Sequence, residues 1–259
     1  MQSKIFENFS GTIQWLAKQL YTHGYEVHTE KWQGLDIKEK EAFGHFEILN
    51  YSFSSKISPD LKILQKEIGP NLPWADDHFL ERVGGLPINP GEQYKNWPYY
   101  KNNPSNDKFR TEKDFKFSHS YMERMWTSAL NGIRYQYGNL QDVVNLLDKE
   151  PLTRQAFLPI WFPEDTGVKH GGRVPCTLGY HFIRRANYLH IVYYIRSCDF
   201  IRHFRDDVYL ACRLNLWMIE ELKKLRIEHW LDVKPGLLTM HMTSLHIFKN
   251  EKELLKKQF

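Results

Sequence analysis

The stretch PCTLGYHFIRRANYLHIVYYIRSCDFIRHFRDD, residues 175–207, contains most of the side chains in this sequence that are suited to chemistry. It holds two runs rich in Tyr, Phe, Ile and Val, Thr177–Arg184 and Tyr188–Arg196, with a short turn segment between them. This pattern predicts a β-hairpin. The hairpin would return the end of its second strand to the side of Cys176. Polar residues at that end would then share a cleft with the cysteine.

Outside this stretch, apolar periodicity predicts helices and strands that would surround the hairpin. In Val208–Ile227 the apolar residues recur at intervals of three and four, which is typical of a buried amphipathic helix. The other predicted helices are Ser10–Tyr21, Ala75–Val83 and Asn139–Lys149, the last ended by Pro151. Strands are predicted at Phe43–Ser54 and Leu237–Phe248, the second after a break of the chain at Pro235-Gly236.

Composition predicts an ordinary folded protein that binds a small ligand. The 259 residues, 42% hydrophobic and 25% charged, are expected to form one domain, 1–259, with a loop-rich elaboration at about 55–117. The net charge of +4 comes from dispersed Lys and Arg, which favours a small anionic ligand over nucleic acid. Three cysteines without CxxC spacing predict neither a disulfide framework nor a metal site. Without a signal-peptide core or an apolar run of membrane length, a cytoplasmic protein is expected.

The order and spacing of the polar residues resemble the thymidylate synthase superfamily, which includes the pyrimidine nucleotide hydroxymethylases. In that family a Pro-Cys nucleophile is followed twenty residues later by an Arg-Ser-x-Asp motif, and the side chain that reads the pyrimidine comes eight residues after its Asp. Here these positions are Cys176, Arg196–Asp199 and Asp207. Three further segments resemble family segments and extend the likeness over about the last 140 residues: Pro151–Arg154, Ile160-Trp161 and Ser244–Phe248.

The resemblance implies an α/β protein of the thymidylate synthase fold, with a mixed sheet, flanking helices and a homodimer that forms through the sheet. The substrate would be a pyrimidine nucleoside monophosphate and the co-substrate 5,10-methylenetetrahydrofolate, with no metal. Arg154 would cross the dimer interface to hold the phosphate of the other subunit's nucleotide. The implied substrate-binding residues are Arg154, Arg196, Ser197, Asp199, Asp207 and His246.

Cys176 is the cysteine placed to act as the nucleophile. If its thiolate adds to carbon 6 of a pyrimidine, carbon 5 becomes enamine-like and attacks a one-carbon electrophile. Arg196 would favour the thiolate because a nearby cation stabilises it. Without the aligned motif, a lone cysteine in an apolar hairpin is more often a buried structural residue. Cys198 and Cys212 have no comparable context, and we interpret them as packing residues.

Asp207 is the position that would choose the base. Thymidylate synthases have Asn here, which donates to the carbonyl at carbon 4 of uracil and accepts from nitrogen 3. An ionised Asp is only an acceptor, so it suits the amino group of cytosine. Deoxycytidylate hydroxymethylases also carry Asp at this position and Thr after the nucleophile, as Thr177 is here. The alternative is that Asp207 caps the following helix, although Asp206 could take that role instead.

The remaining catalytic and folate-binding candidates precede the hairpin. Glu81 is the candidate for the family's catalytic glutamate, which organises water and proton transfer; the alternative is a solvated side chain or an ion pair with Arg82. Tyr121 lies in a segment that resembles the one around a tyrosine that approaches the substrate. Trp74 and Trp97 are candidates for the folate site, and aromatic packing in the core is the alternative for each.

Asp199 and His246 each have a structural alternative. Asp199 would support the base-binding edge or a neighbouring backbone amide, or it would serve as a cap. His246 would contact the sugar hydroxyl, whereas a lone His on a strand is otherwise a structural residue. Two positions depart from the family pattern. Gln155 replaces a second arginine, and Phe248 replaces a Tyr, which leaves the choice between ribose and deoxyribose open.

These interpretations predict hydroxymethylation at carbon 5 of a cytidine monophosphate, with dCMP converted to 5-hydroxymethyl-dCMP as the expected reaction. A hydroxymethylase adds water in the last step, whereas a methylase transfers hydride from the folate, and Glu81 would position that water. The nearest alternative is a divergent thymidylate synthase that makes dTMP from dUMP. Another is a catalytically silent nucleotide-binding homologue. Three features are compatible with a silent homologue: Gln155, Phe248, and a segment after Phe248 that is shorter than the tail with which family members cover the folate.

Overall fold

The computed structural model describes residues 4–32, 35–99, 114–126, 138–166 and 174–259. Residues 100–113 of the predicted loop-rich elaboration lie outside these ranges. Within the described residues, no helix combines the length and the apolar composition that a membrane-spanning segment needs.

Seven of the described strands form one mixed sheet in the order β1-β5-β9-β8-β7-β6, with β2 paired to the first residues of β5. The described strands are β1 (Lys4–Phe6), β2 (Tyr25–Val27), β3 (Lys31–Trp32), β4 (Leu35–Asp36), β5 (His45–Lys56), β6 (Phe157–Pro159), β7 (Thr177–Arg185), β8 (Tyr188–Asp199) and β9 (Lys234–Phe248). Strands β3 and β4 form a separate two-stranded ladder. Because β8 and β9 are parallel, their carboxyl ends meet at the same edge of the sheet.

Helices cover one face of this sheet. The described α-helices are α1 (Phe9–His23), α2 (Leu61–Ile68), α3 (Trp74–Val83), α4 (Tyr121–Met125), α5 (Leu140–Lys149), α6 (Phe204–Leu225) and α7 (Ile227–Trp230). Short 3-10 segments cover Glu41–Phe43, Glu92–Asn96, Pro163–Thr166 and Lys249–Gln258. Helix α1 packs on β5, and α6 packs on β8 and β9. The core between these layers includes Leu16, Phe53, Tyr193, Met218 and Met240, all fully buried.

The predicted hairpin is confirmed. Strands β7 and β8 pair antiparallel, and the turn is made by Ala186, at a φ of 47°, and Asn187. The predicted helices at residues 10–21, 75–83 and 139–149 are confirmed as α1, α3 and α5. Asn139 caps α5, because its side chain accepts from the backbone of Asp142. Helix α2 was missed, although Asp60 at its N-cap and Gly69 after its last turn are recognisable end signals.

Helix α6 begins four residues earlier than predicted, at Phe204 rather than Val208. Phe204 is 1% exposed and starts the buried face, but three polar residues follow it and hide the periodicity in the sequence. His203 is the N-cap residue, so the interpretation of Asp207 as the cap is wrong. Asp206 and Asp207 lie in the first turn instead, where the helix dipole favours negative charge.

The break predicted at Pro235-Gly236 is also wrong, because both residues lie inside β9. Gly236 lets β9 pass close to β8: a Cβ atom there would lie 2.7 Å from Nδ1 of His190. That nitrogen accepts a hydrogen bond of 3.1 Å from the backbone of Leu237. Glycine is therefore required at position 236, because any side chain there would clash with the His190 ring.

Strand β8 loses the strict alternation of its side chains near its end. Ile195 and Cys198 are both buried in the core, three residues apart. A regular strand would place its side chains on opposite faces in turn, and one residue between these two would then also face the core. Here Arg196 and Ser197, two successive residues, both remain outside it.

The neighbouring strands lose alternation at the same level. In β9, Met242 and Leu245 are buried in the core three residues apart, and in β5 the irregularity falls at Asn50, which has a φ of 52°. Met242 pairs with Ile195 on one side and with Tyr51 on the other, so the three irregularities lie side by side. Polar residues of β8 and β9 beyond this level consequently leave the core and gather at one edge of the sheet.

The face of the sheet opposite the helices carries polar and aromatic side chains. Tyr194 stacks on His241 with ring centres 5.3 Å apart, and Ser54 and Thr239 share a hydrogen bond of 2.8 Å between their hydroxyl groups. Dimerisation through this sheet stays a prediction, because the structure contains one chain.

Gly179 provides a test of how closely β6 and β7 approach each other. A Cβ atom at this position would lie 2.4 Å from the Phe157 ring and 2.7 Å from the carbonyl oxygen of Leu158. Because a backbone carbonyl cannot rotate away as a side chain can, we expect Gly179→Ala to destabilise the protein by about 1–3 kcal/mol. The measurement is the free energy of unfolding in urea.

Gly11→Ala is the matched control. A Cβ atom there would meet the nearest atom, Oδ1 of Asn8, at an ordinary 3.5 Å. Alanine also favours the helix, so this variant should be neutral or more stable by up to about 1 kcal/mol. Unchanged stability of Gly179→Ala would contradict the close packing of β6 on β7.

Candidate active site

A cleft of about 660 Å³ opens where the carboxyl ends of β8 and β9 meet. It is lined from the sheet by β5, β8 and β9 and from the other side by α3, α4 and the first turn of α6. Nine of the eleven residues predicted from the sequence line it: Trp74, Glu81, Trp97, Tyr121, Cys176, Arg196, Ser197, Asp207 and His246. Arg154 and Asp199 do not.

Cys176 and Arg196 are held beside each other by the hairpin. The backbone N–H of Arg196 donates to the carbonyl of Cys176 at 2.9 Å, and its Nε donates to the carbonyl of Pro175 at 2.9 Å. A terminal nitrogen of the guanidinium lies 4.0 Å from Sγ of Cys176. The half-buried thiol therefore faces the cleft next to a fixed positive charge, an environment that favours a thiolate nucleophile.

A buried group of hydroxyls lies behind the cysteine. Thr177 Oγ1 donates to the hydroxyl of Tyr121 at 3.2 Å and lies 2.9 Å from the hydroxyl of Tyr193. Burial raises the pKa of Tyr121 far above its ordinary value, so its hydroxyl stays protonated. Tyr121 is thus joined to the residue directly after Cys176.

Glu81 is held by hydrogen bonds from two sides. Its side chain is 10% exposed, with one oxygen 3.3 Å from Nδ1 of His78 and the other accepting from the backbone of Gln93 at 3.3 Å. Burial acts to raise the pKa of Glu81, but the hydrogen bonds from His78 and the backbone outweigh it, so the pKa is lowered. Neither alternative considered from the sequence, a solvated side chain or an ion pair with Arg82, describes this geometry.

His78 orients Glu81 and was missed in the sequence. Its Nε2 accepts from Nε of Arg82 at 2.9 Å, so Nδ1 carries the proton and donates to Glu81. Burial, together with the charge of Arg82, lowers the pKa of His78 well below its ordinary value, which keeps the ring neutral. Helical spacing was the available signal, because residues three and four apart share one face of a helix.

Asp207 faces the cleft from the first turn of α6. Burial raises the pKa of Asp207 from 3.8 to about 7, and the charge of Arg82 acts in the opposite direction. Among the described residues its carboxyl group has no hydrogen-bond partner, whereas that of Asp206 accepts two hydrogen bonds of 2.8 Å from Asn71. The Asp206 carboxylate is therefore occupied by its hydrogen bonds to Asn71, whereas the Asp207 carboxyl group is available to a ligand.

Asp199 takes the structural role considered for it. It accepts hydrogen bonds of 3.0 Å from the backbone amides of Ile201 and Arg202, and it forms an ion pair with the Arg202 side chain. These contacts shape the turn that leads from β8 into α6. Arg154 is exposed and lies outside the cleft of its own chain.

His246 lies at the far end of the cleft, beside acidic and hydroxyl groups. Its Nδ1 is 3.5 Å from Oγ of Ser244, which donates to Glu47 at 2.6 Å. Burial lowers the pKa of His246 below its ordinary value, so the ring is neutral at neutral pH. Phe248, at the position of the family tyrosine, lies under the guanidinium of Arg202 at 4.4 Å.

A family model for thymidylate synthase matches residues 72–259, which is 188 of the 259 residues. This chain belongs to the thymidylate synthase family. The seven-stranded mixed sheet flanked by helices is the fold predicted from the resemblance. Members of the family transfer a one-carbon unit from methylenetetrahydrofolate to a pyrimidine nucleotide, and they typically form dimers. The protein is therefore a family one-carbon transferase for a pyrimidine nucleotide.

The cleft of this thymidylate synthase family member fits a folate co-substrate. Trp74 stacks on His78 with ring centres 5.0 Å apart and donates to the carbonyl of Gln93, and Trp97 stacks on His203 at 4.9 Å. Further aromatic side chains on the cleft wall are Phe43, Tyr94 and Phe117. Flat apolar walls of this kind suit the aromatic rings of a folate. Within the described residues no group of three or more His, Cys, Asp and Glu side chains is arranged to hold a metal ion.

The raised pKa of Asp207 has a consequence for stability. Because the folded protein holds this proton more tightly than the unfolded chain, the stabilisation is fully present below about pH 4 and is lost as the pH rises to about 7. Asp207→Asn removes the buried charge, so at pH 8 it should stabilise the protein by about 1–4 kcal/mol. The gain should be smaller at pH 5. Urea unfolding at both pH values measures it.

Asp60→Asn is the matched control, because Asp60 is an exposed helix cap and Asn is an equally good cap. Its effect should be small and the same at pH 5 and pH 8. If Asp207→Asn also showed no pH dependence, the buried protonated carboxyl would be disproved.

Proposed function

We propose that this protein hydroxymethylates carbon 5 of a cytidine monophosphate, with dCMP converted to 5-hydroxymethyl-dCMP as the expected reaction. The observation that carries the proposal is the carboxyl group of Asp207, which faces the cleft and has no hydrogen-bond partner among the described residues. A half-buried carboxyl group without a hydrogen-bond partner in the protein is open to a ligand, so a ligand is expected to supply that partner. Asparagine would occupy this position in a thymidylate synthase.

Cytosine suits Asp207 in both of its protonation states. The neutral carboxyl accepts from the amino group at carbon 4 and donates to nitrogen 3, and the ionised form still accepts from the amino group. Uracil presents a carbonyl at carbon 4, which an ionised carboxylate repels. Because the pKa of Asp207 is about 7, preference for cytosine should increase as the pH rises above neutrality.

The neighbouring residues suit the addition and the water step. Cys176 attacks carbon 6 of the pyrimidine, and Arg196 stabilises its thiolate. Methylenetetrahydrofolate supplies the one-carbon unit when it is bound. Glu81, kept ionised and oriented by His78, accepts a proton from the water that attacks the new carbon.

Thymidylate synthesis from dUMP is the second candidate. It is favoured by one observation, the pKa of Asp207 near 7, since a neutral carboxyl also pairs with uracil. The two reactions differ in the product formed, hydroxymethyl or methyl, and in the base used.

Release of tritium from carbon 5 of labelled dCMP, CMP and dUMP, with and without methylenetetrahydrofolate, tests the proposal directly. We expect release from a cytidine nucleotide and a hydroxymethyl product in the mass spectrum. Asp207→Asn should shift the preference toward dUMP by about ten- to a thousandfold, because an amide matches the uracil edge. The kcat/KM ratio of dCMP to dUMP measures this shift.

Cys176→Ala is the control and should abolish release while it leaves nucleotide binding. A methylated dUMP product from the wild-type protein would refute the proposal and favour thymidylate synthesis. Nucleotide binding that Cys176→Ala leaves unchanged, with no release from any of the three nucleotides, would identify a silent homologue.

The proposed homodimer places Arg154 in the partner's site. Its exposure outside the cleft of its own chain supports this placement. We expect Arg154→Ala and Cys176→Ala to be inactive separately, and an equal mixture that has exchanged subunits to recover about a quarter of the wild-type activity. Half of the dimers would then be mixed, each with one intact site. No recovery in a mixture shown to contain mixed dimers would exclude a shared site.

A further inference from the structure

Arg82 brings a positive charge into the cleft, and no carboxylate among the described residues lies at ion-pair distance from it. The residue is 6% exposed and lines the cleft. Its Nε donates to His78 at 2.9 Å, and its guanidinium lies 4.1 Å from the ring centre of Tyr121. Within the part of the chain that the structure describes, its two terminal nitrogens have no hydrogen-bond acceptor and no ion-pair partner.

Arg124 is an arginine outside the cleft that is buried to a similar extent, and its side chain is fully paired. It is 8% exposed and also lies over an aromatic ring, that of Phe162, at 4.4 Å. Its terminal nitrogens form two hydrogen bonds with the carboxylate of Asp165, at 3.0 and 2.8 Å. Buried cations are normally paired in this way because desolvation is costly. The comparison indicates that the partner of Arg82 arrives with a ligand.

The location of Arg82 indicates which part of the ligand it meets. Its guanidinium lies over the ring of Tyr121, whose hydroxyl accepts from Thr177, the residue after Cys176. Asp207 lines the same cleft and is near enough for the charge of Arg82 to oppose the rise of its pKa to about 7. Arg82 therefore lies in the part of the cleft that holds both the residue after the cysteine and the acid that would read the base.

We infer that Arg82 is a further catalytic residue, whose terminal N–H groups donate to the pyrimidine ring as Cys176 adds to it. This inference rests on the proposed attack of Cys176 on the nucleotide. In that step a sulfur lone pair forms the bond to carbon 6, and the electron pair of the double bond between carbons 5 and 6 moves into the ring. The negative charge spreads over carbon 5, nitrogen 3 and the carbonyl oxygen at carbon 2.

A fixed guanidinium stabilises this anion more than the neutral base. Its position is set by His78 and Tyr121 before the substrate arrives, and a preorganised donor in a buried site is most effective where charge develops. The interaction should therefore contribute mainly to kcat and little to nucleotide binding. The terminal nitrogens of Arg82 have no acceptor among the described residues of the free protein. This is consistent with a guanidinium that forms its hydrogen bonds when negative charge develops on the pyrimidine during the reaction.

The test uses the full-length variants Arg82→Met and Arg82→Ala, with labelled dCMP and methylenetetrahydrofolate at saturating concentrations. We expect the rate of tritium release to fall about 10²- to 10³-fold in both variants, with the Kd of dCMP in calorimetry changed less than about fivefold. Guanidinium ion added in solution should restore part of the activity of Arg82→Ala. A general loss of folding would not be rescued in this way.

Arg124→Met is the matched control for folding. It leaves the buried Asp165 carboxylate without its cation, so it should lower Tm clearly. Arg82→Met removes a charge that has no ion-pair partner among the described residues and breaks one hydrogen bond, to His78, so it should lower Tm less. A rate of release within threefold of wild type, or a loss of dCMP binding as large as the loss of rate, would overturn the inference and leave the proposed function standing. If the wild-type protein released no tritium from any pyrimidine nucleotide, the proposed function and this inference would both fail.

Discussion

The interruption of side-chain alternation across β5, β9 and β8 is the constraint on which the candidate site depends. In a regular strand Arg196 and Ser197 would face opposite sides of the sheet, and one of them would enter the core. Because Ile195 and Cys198 both take core positions, the two polar residues between them stay outside. The same interruption at Met242 keeps Ser244 and His246 out of the core. The cleft exists because three neighbouring strands depart from regularity together.

The cleft also concentrates polar groups that the fold leaves unsatisfied. Asp207 is half-buried and Arg82 is 6% exposed. Among the described residues, the carboxyl group of Asp207 and the terminal nitrogens of Arg82 lack the partner that similar groups have elsewhere, as Asp206 has in Asn71 and Arg124 has in Asp165. Groups of this kind lower the stability of the free protein and become useful when a ligand completes them. Glu81 differs, because His78 and a backbone amide hold it in one ionised form.

Much of the fold was readable from local patterns. The alternation of Tyr, Phe, Ile and Val predicted the hairpin, and the spacing of the motif predicted that Cys176 and Asp207 share one cleft. The start of α6 was misjudged because Phe204 is followed by polar residues whose burial depends on other parts of the chain. The last predicted strand was begun three residues too late, at Leu237 rather than Lys234, because a glycine after a proline usually ends a strand. The close approach of His190 that requires Gly236 is not encoded locally.

The sequence by itself determined the family, the β-hairpin and the identity of many of the groups that line the cleft, because motif spacing and apolar periodicity are local properties of the chain. Only the tertiary structure decided which of these groups are satisfied. Three properties depend on distances between segments that are far apart in the sequence. They are the presence of a counter-charge for Arg82, the partner of Glu81 (Arg82 or His78), and the side to which Asp199 turns, the cleft or the turn after β8. Charge, burial and hydrogen bonding are set by those distances, and a single sequence does not contain them.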